Sequence, residues 1–392
     1  MEPFNINNYM KIVEENRKRL EKIVEFEEAD RVPVIIDVGG PYYAKIFGYT
    51  FAEYYRDLSV MLDVQIKGIK WRLKWLKDDL AHIGVWLDIG SIAEGIVFDC
   101  RIVMPDDRNP WHSPWIVPRI RTLEDIDNLE IPDPYTHKGI KAYYNRLEKF
   151  RKLVKEYYGD LPVGGRLQIH PPVSAAGSLM GPERLYSWIY KYPDEMHKLF
   201  RKLEKTFVVL QEFYYDITGA EPSSLGLADD HAGYLSRRLY EEFAMPYNLR
   251  LYERFGKRYR SLHMDSHMDH ITDILRDVYR INYADVGVEN DIRKIAEAFK
   301  GKVVFKGNAN WRVLMKNYEL IELEVEKCIY YAAPGGGYIF DNGGETYAGV
   351  PPNKLRYEVE YAKKVGMYPI KEENFKHLSK IKMLDKDIDL TV

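Results

Sequence analysis

The sequence predicts an α/β fold: a single (β/α)8 TIM barrel with an N-terminal helical extension. Short apolar runs alternate with longer amphipathic stretches along most of the 392 residues, a pattern typical of parallel strands joined by crossover helices. Eight such runs can be counted, which is the number that closes this barrel. A doubly wound sheet would alternate in the same way, but no G-x-G-x-x-G motif follows the first run.

The predicted strands are apolar runs that stop at glycine, proline or polar residues, which favour turns. The first of them is followed by Gly39-Gly40-Pro41. In chain order, the predicted strands are Arg31–Asp37, Ile96–Val103, Pro162–Ile169, Ser224–Ala228, Arg260–Met264, Ile281–Val286, Lys302–Lys306 and Gly337–Phe340.

Helices are predicted where apolar residues recur at a helical spacing. A charged stretch, Met10–Glu28, precedes the first strand and forms the extension. Further helices are predicted at Ser59–Lys77, Pro182–Ile217, Ser236–Phe255 and Asp291–Phe299. The predicted organisation is therefore an extension (residues 1–30), a barrel (31–370) and a solvated tail (371–392) with acidic and basic runs.

The segment Leu80–Pro134 is less regular and is rich in proline and tryptophan, as in Pro110-Trp111-His112-Ser113-Pro114-Trp115. Two interpretations remain open. It is either an excursion over the mouth of the barrel or an ordinary surface connection.

Composition excludes several classes of protein. Lys and Arg total 57 against 60 Asp and Glu, and no basic stripe stands out, which argues against nucleic acid as a partner. Cys100 and Cys328 lie far apart without a C-x-x-C pair, so a thiol-rich zinc site is excluded. No apolar run approaches the roughly 20 residues that cross a membrane, and the first residues lack the pattern of a signal peptide. We therefore expect a soluble, cytoplasmic protein.

Histidine and carboxylate side chains cluster where predicted strands end. Residues two apart in a strand share a face, so His263 and Asp265 project together if the strand continues, as do Asp229 and His231. Such pairs bind zinc or iron, or they serve as acid and base. The alternative is that each histidine caps a helix or bonds to backbone. Asp341 and Glu345 lie at another predicted strand end and favour a common site.

Three further residues are candidates for binding or proton transfer. Asp88 is flanked by large apolar residues, and burial would raise its pKa and suit it to donate a proton or to bind an N–H group. It could instead cap a turn. Arg166 and His170, near another strand end, could bind an anion, or they could be a barrel salt bridge and a solvated loop residue.

Six sequence blocks together form a recognisable succession from about residue 30 to residue 366. They are Arg31-Val32-Pro33-Val34, residues 229–236 (DDHAGYLS), Phe243-Ala244-Met245-Pro246-Tyr247, His263-Met264-Asp265, Gly307-Asn308 and Gly335 through Asn353. In order and spacing these blocks resemble the uroporphyrinogen decarboxylase superfamily. This resemblance implies a single barrel with its site at the carboxyl ends of the strands. It also implies an enzyme, either a porphyrinogen decarboxylase or a methyltransferase that works with corrinoid proteins.

Departures from the family pattern separate its branches. The decarboxylases carry arginines after the first strand, where this chain reads Asp37-Val38-Gly39-Gly40-Pro41. They also carry a histidine near the turn occupied here by Gly343-Gly344. Asp88 alone falls where the family keeps its central aspartate. A polycarboxylate substrate needs cationic partners. Because this chain lacks the arginines that the decarboxylases carry there, porphyrinogen decarboxylation is disfavoured.

The methyltransferase branch that charges coenzyme M holds zinc with H-x-C and a later cysteine. Here the first motif reads His263-x-Asp265, and Gly344 or Glu345 stands near the later position. Oxygen ligands would replace thiolates, so zinc would persist in a harder site or be absent. The N-terminal helix and the segment Trp71–Trp115 look most like corrinoid-linked O-demethylases.

The resulting hypothesis is methyl transfer from a small substrate, such as a methoxylated compound, to a corrinoid carried by a separate partner protein. Two alternatives remain: a metal-free, divergent decarboxylase that uses Asp88, and a ligand-binding barrel without catalysis. For the first hypothesis the predicted catalytic residues are Asp88, Asp229 and His231, the substrate-binding residues Asp37, Arg166, His170 and Asp341, and the ligands of a possible zinc His263, Asp265 and Glu345.

Overall fold

The computed structural model describes residues 5–383, numbered here as α1–α16 and β1–β9 in chain order. The strands are β1 Val85–Trp86, β2 Ile102–Val103, β3 Trp115–Ile116, β4 Val163–Gly164, β5 Ser224–Ala228, β6 Tyr259–Met264, β7 Tyr283–Val286, β8 Val304–Asn308 and β9 Tyr338–Asp341. The helices are α1 Met10–Val24, α2 Gly40–Ile46, α3 Phe51–Arg56, α4 Leu58–Trp71, α5 Ala93–Val97, α6 Leu123–Asp127, α7 Lys138–Tyr158, α8 Pro172–Met180, α9 Pro182–Lys191, α10 Pro193–Thr218, α11 Arg237–Phe243, α12 Met245–Phe255, α13 Ile292–Phe299, α14 Tyr318–Ala332, α15 Pro352–Val365 and α16 Leu378–Met383.

The predicted α/β barrel is confirmed. Strands β5 to β9 form a continuous parallel ladder in chain order, and β1 pairs with β4 in parallel. The segment 31–37 forms the first strand position of the barrel, called the first stave below, because Val34 forms a parallel bridge with Phe340 in β9. Phe340 N donates to Pro33 O at 2.8 Å, and Ile35 N donates to Phe340 O at 3.0 Å. The last strand therefore lies against the first, as closure of a barrel requires.

The second barrel strand is β1, so the predicted strand Ile96–Val103 is wrong. That stretch begins in α5 and ends in β2, which pairs antiparallel with β3 in a separate hairpin. A short apolar run does not distinguish a buried helical turn from a buried strand. The irregular segment Leu80–Pro134 therefore contains a barrel strand as well as this hairpin, whose Trp115 is half exposed.

Two long predicted helices are each broken. Pro182–Ile217 divides into α9 and α10 at Tyr192, whose backbone is not helical because Pro193 follows it. Ser236–Phe255 divides into α11 and α12 at Ala244. The predicted helix Ser59–Lys77 corresponds to α4 and a π-helical turn, Arg72–Leu76.

Helix α1 covers the amino-terminal ends of the last strands. Ile23 is fully buried and packs with Val304 and Ile339, the starts of β8 and β9. Arg19 donates to Asp30 and to Asp79, which ties the helix to the segments around the first stave. Apolar contact and ion pairs together hold α1 against the amino-terminal end of the barrel, called its floor below.

Residues 1–4 of the predicted extension and 384–392 of the predicted tail lie outside the described residues. Within residues 371–383, the backbone N–H groups of Lys376 and His377 donate to the Glu326 carboxylate at 3.0 and 2.8 Å. Across residues 5–383, no helix is both long enough and apolar enough to span a membrane.

Candidate active site at the barrel mouth

Three ligand-type side chains converge at the carboxyl ends of β5 and β6. His263 lies near the end of β6, Asp265 follows it, and Asp230 begins the 3-10 turn after β5. One ligand atom from each lies within 4.8 Å of the others. Asp230 is positioned by the Asp265 backbone N–H, which donates to its carboxylate at 2.7 Å. One imidazole and two carboxylates are a donor set that zinc or a similar divalent cation accepts.

Glu345, the predicted third ligand, is not one of these converging side chains. Gly343 and Gly344, with φ of 59° and 132°, turn the chain in backbone conformations that favour glycine. Glu345 consequently points at Gly39, where an added Cβ would lie 1.7 Å from the Glu345 Oε1 atom. Burial and the nearby carboxylates of Asp37, Asp88 and Asp265 raise the pKa of Glu345 to about 7. It can therefore hold a proton near neutral pH.

A row of alternating charges crosses the barrel beside the metal-ligand cluster. His263, Asp285 and Lys306 are register partners on β6, β7 and β8. Lys306 Nζ lies 3.3 Å from Asp285 Oδ1 and 3.0 Å from Asp341 Oδ2. The row was not predicted as functional, although Asp285 and Lys306 stand out as charges in otherwise apolar strands.

The row sets the charge of His263. Burial alone would lower the pKa of its imidazole, but the carboxylates of Asp265 and Asp285, 3.6 and 3.7 Å from its ring nitrogens, raise that pKa to about 11. Burial likewise opposes ionisation of Asp285, yet His263 and Lys306 lower the pKa of its carboxyl to about 2. The carboxylates that favour an imidazolium here are also those that would attract a metal cation.

Asp229 and His231 do not project together into the mouth. The chain leaves the extended conformation at Asp230, where a 3-10 turn begins, so spacing by two no longer places them on one face. The buried Asp229 carboxylate accepts hydrogen bonds from Ser174 and Asn248, both at 2.7 Å. Burial raises its pKa to about 6. Asp229 therefore anchors α8 and α12, and Asp230 takes the position at the mouth.

The His231 ring lies against the helical layer. An added Cβ at Gly177 in α8 would lie 2.2 Å from the His231 Cδ2 atom, and the Tyr186 hydroxyl lies 3.3 Å from its Nδ1. Burial lowers the pKa of this imidazole. The His231 ring therefore does not share a face with Asp229, and its catalytic role stays a prediction.

Asp88 lies at the mouth, as expected for a carboxylate after a barrel strand. It accepts hydrogen bonds from the Tyr54 hydroxyl and the Gly90 N–H, both at 2.9 Å. Burial raises the pKa of Asp88. An added Cβ at Gly40 would lie 2.7 Å from its Oδ2 atom. The segment after the first stave therefore approaches these carboxylates too closely to carry the side chains that would bind an anion.

Asp37 and Asp341 are linked across the closure of the barrel. The Asp37 N–H donates to Asp341 Oδ1 at 2.9 Å, and Thr346 Oγ1 donates to the Asp37 carbonyl at 2.6 Å. Because Asp341 is 2% exposed and engages Lys306 and Asp37, it supports the site from beneath. Its predicted contact with substrate is not favoured.

His170 and Arg166 occupy different surroundings. His170 pairs with the buried Glu94, with Nδ1 2.8 Å from Oε1, and although burial lowers its pKa, Glu94 raises that pKa to about 9. The Arg166 guanidinium lies 5.3 Å from the centre of the Tyr214 ring on α10. Arg166 thus faces the helical layer, and its role in binding substrate stays a prediction.

Comparisons with known proteins agree with this architecture. The family model described as Uroporphyrinogen decarboxylase (URO-D) matches residues 15–365. Uroporphyrinogen decarboxylase of Schizosaccharomyces pombe is 24% identical over 68% of this chain and 75% of its own length. The enzyme of Chloroherpeton thalassium is 23% identical over 71% and 80%.

A solved structure has the same fold. It is a methyltransferase from Methanosarcina mazei, with a TM-score of 0.64 and 17% identity over 88% of this chain and 98% of that one. At 17% identity this likeness shows a shared fold. The reaction depends on the side chains at the mouth.

Proposed function

The chain belongs to the uroporphyrinogen decarboxylase family, and from this premise we propose that it is an enzyme that transfers a methyl group from a small substrate to a corrinoid on a separate protein. The observation that carries the proposal is the convergence of Asp230, His263 and Asp265 within 4.8 Å. A site of this kind suits activation of a methoxyl group or a similar methyl donor. The family's decarboxylation, by contrast, calls for cationic residues that bind carboxylates.

The three side chains would hold a divalent cation such as zinc through one nitrogen and two carboxylates. When bound, that cation would act as a Lewis acid on the leaving atom of the methyl donor, and the corrinoid would accept the methyl group. The Asp285 carboxylate, 3.7 Å from His263 Nδ1, orients the imidazole so that Nε2 faces Asp265. Support of a ligand histidine by a carboxylate is common in metal sites.

In this proposal Glu345 would supply a proton to the leaving group. Its pKa of about 7, caused by burial and by the carboxylates of Asp37 and Asp88, leaves it partly protonated near neutral pH. A proton donor is most effective when its pKa lies near the working pH. Asp88, hydrogen-bonded to Tyr54, would fix the position of the substrate beside it.

The same carboxylates argue against a porphyrinogen as substrate. Asp37, Asp88 and Glu345 bring acidic groups and no cation to the mouth, so a polycarboxylate bound there would find no cationic partner among them. A metal-independent decarboxylase that acts on a smaller substrate is the second candidate, favoured by the buried Asp88 carboxyl. Release of carbon dioxide that chelators do not affect would support this candidate.

The proposal is tested by metal analysis of protein purified without chelators. We expect about one divalent ion per chain, lost in His263→Ala because one ligand is removed and retained in His82→Ala, which changes an exposed histidine before β1. Methyl transfer from methoxylated compounds to cob(I)alamin should be lost with the metal. Finding neither bound metal nor methyl transfer would overturn the proposal.

A further inference from the structure

A cavity of about 670 Å³ lies beside the barrel mouth, between the loop after β1 and helices α3, α5 and α7. This volume falls in the range of pockets that hold small organic ligands. Its walls are mostly apolar, which suits the body of such a ligand more than a chain of waters. The apolar lining residues include Ile89, Ile92, Ile96, Ile102, Met104 and Tyr143.

Among residues 5–383, one cation that lines the cavity has no carboxylate within salt-bridge distance. Two other lining residues are already paired: Asp99 lies 3.2 Å from His137, and Arg56 lies 3.2 Å from Asp107. Arg146 is half-buried, and within residues 5–383 its guanidinium makes no ion pair. The Asp57 carboxylate acts on this guanidinium only from beyond salt-bridge distance.

Arg146 presents unused donors to an incoming group. Its Nη2 atom donates to the carbonyls of Tyr55 and Arg56 at 2.7 and 3.4 Å, which fixes the guanidinium at the end of α3. Neither Nη1 nor Nε has an acceptor among the described residues. A held guanidinium with free N–H groups is suited to two parallel hydrogen bonds with a carboxylate.

The cavity is connected to the candidate active site through a shared residue. Asp88 lines the cavity, and its carboxylate contributes to the raised pKa of Glu345. Tyr54 and Tyr55, adjacent on α3, contact Asp88 and Arg146 respectively. A molecule in the cavity can therefore meet Arg146 and still present another group to the mouth.

We infer that this cavity binds an organic anion with an apolar body, and that Arg146 holds its carboxylate. Given the proposed function, on which this inference rests, the methyl donor is an aromatic carboxylate with a methyl group on the side that faces Asp88. Arg146 is a specificity-determining residue, and it takes no part in methyl transfer.

The test compares two probes of the same shape by isothermal titration calorimetry. These are 4-methoxybenzoate and its uncharged analogue 4-methoxybenzamide. We expect the benzoate to bind about tenfold or more tightly than the benzamide, and Arg146→Met to abolish that preference, because a charge-assisted hydrogen bond is lost. Equal affinity for the two probes, or no binding of the benzoate at millimolar concentration, would overturn the inference.

A second variant keeps the test independent of the contact between Arg146 and α3. Ala142→Phe fills the cavity and should weaken binding of the benzoate by about tenfold or more. Lys141→Phe, an exposed change next to it that does not line the cavity, should leave binding unchanged. Thermal melts establish that each variant is folded. Unchanged binding in Ala142→Phe would exclude this cavity.

Failure of the inference can be told from failure of the proposed function, because binding of the probes requires neither metal nor corrinoid. Methyl transfer that 4-methoxybenzoate does not inhibit would overturn the inference alone. Binding of the benzoate by a protein that holds no metal and transfers no methyl group would overturn the proposed function alone.

Discussion

Lys306 is a largely buried cation between two carboxylates, with its Nζ atom 3.0 Å from Asp341 and 3.3 Å from Asp285. Its side chain is 13% exposed. Removing two carboxylates from water costs several kcal/mol each unless a partner is present. Lys306 thus stabilises the carboxylates of Asp285 and Asp341 inside the barrel. The same Asp285 orients His263.

Replacing Lys306 should therefore destabilise the fold. Lys306→Met leaves Asp341 without a cation and Asp285 with His263 alone, and we expect the free energy of unfolding to fall by about 3–5 kcal/mol. Urea denaturation followed by circular dichroism measures this change. Lys302→Met, an exposed change near the start of the same strand, should alter it by less than about 0.5 kcal/mol. A similar small effect for Lys306→Met would contradict the assigned role of this lysine.

At the scale of single residues, the sequence located the right strand end but not the right side chain. The Asp229-Asp230-His231 stretch offered two carboxylates, and alternation in a strand selected Asp229. The chain instead turns at Asp230, and Ser174 and Asn248, distant in sequence, capture Asp229. Those contacts depend on how α8 and α12 pack, which a local pattern does not contain.

At the scale of elements, the long strands β5 to β9 were predicted, and the two-residue barrel strand β1 was missed. Strands β5 to β9 have alternating or fully buried patterns over four to six residues. Strand β1 has two residues, Val85 and Trp86, too few to show any period. The predicted strand Ile96–Val103 is a longer, mostly apolar run, and such a run does not reveal that its first residues belong to helix α5.

Helix α5 is tied to the segment before α8 by a buried ion pair. Glu94 in α5 is fully buried and accepts hydrogen bonds from both the backbone N–H and the ring of His170, at 2.7 and 2.8 Å. This pair holds the helix that forms one wall of the apolar cavity. Its strength depends on the charge of the imidazole.

The stabilising effect of this pair should depend on pH. The pKa of His170 is raised to about 9 from its ordinary value of 6.5, so its contribution is complete below about pH 6.5 and is lost as pH rises through about 9. We expect His170→Gln to lower the free energy of unfolding by about 1–3 kcal/mol at acidic pH and by less at alkaline pH. Urea titrations of both proteins across this range measure the difference. The matched change His82→Gln should show no such trend, and a constant difference for His170→Gln would contradict the assignment.

At the scale of the whole molecule, α1 covers one end of the barrel and the candidate site lies at the other. The starts of β8 and β9 would expose Val304 and Ile339 if α1 were displaced. The candidate site residues lie at the opposite, carboxyl ends of the strands. Residues that stabilise the fold and candidate site residues thus lie at opposite ends of the barrel, as is general in this fold.

Shortening the side chain at the centre of this floor should weaken the whole fold. Ile23 is 0% exposed, and Ile23→Ala should reduce the free energy of unfolding by about 2–5 kcal/mol, because it leaves a cavity. Ile12→Ala provides the matched control on the same helix, since Ile12 is 42% exposed. Chemical denaturation measures both. Equal effects of the two changes would show that α1 contributes little to closing the barrel.

The backbone ladder of the barrel is unequal around its circumference. Strands β5 to β9 are continuously paired, whereas β1 and β4 share two register positions and the first stave is joined to β9 by one bridge. Amide protons should consequently exchange with solvent more slowly in the second half than in the first, because opening a segment with few ladder bonds costs less free energy. The half with the continuous ladder carries the charged row, whose side chains need fixed distances. The half with few ladder bonds borders the cavity of about 670 Å³. We therefore expect the cavity to change shape to accommodate ligands of different outline.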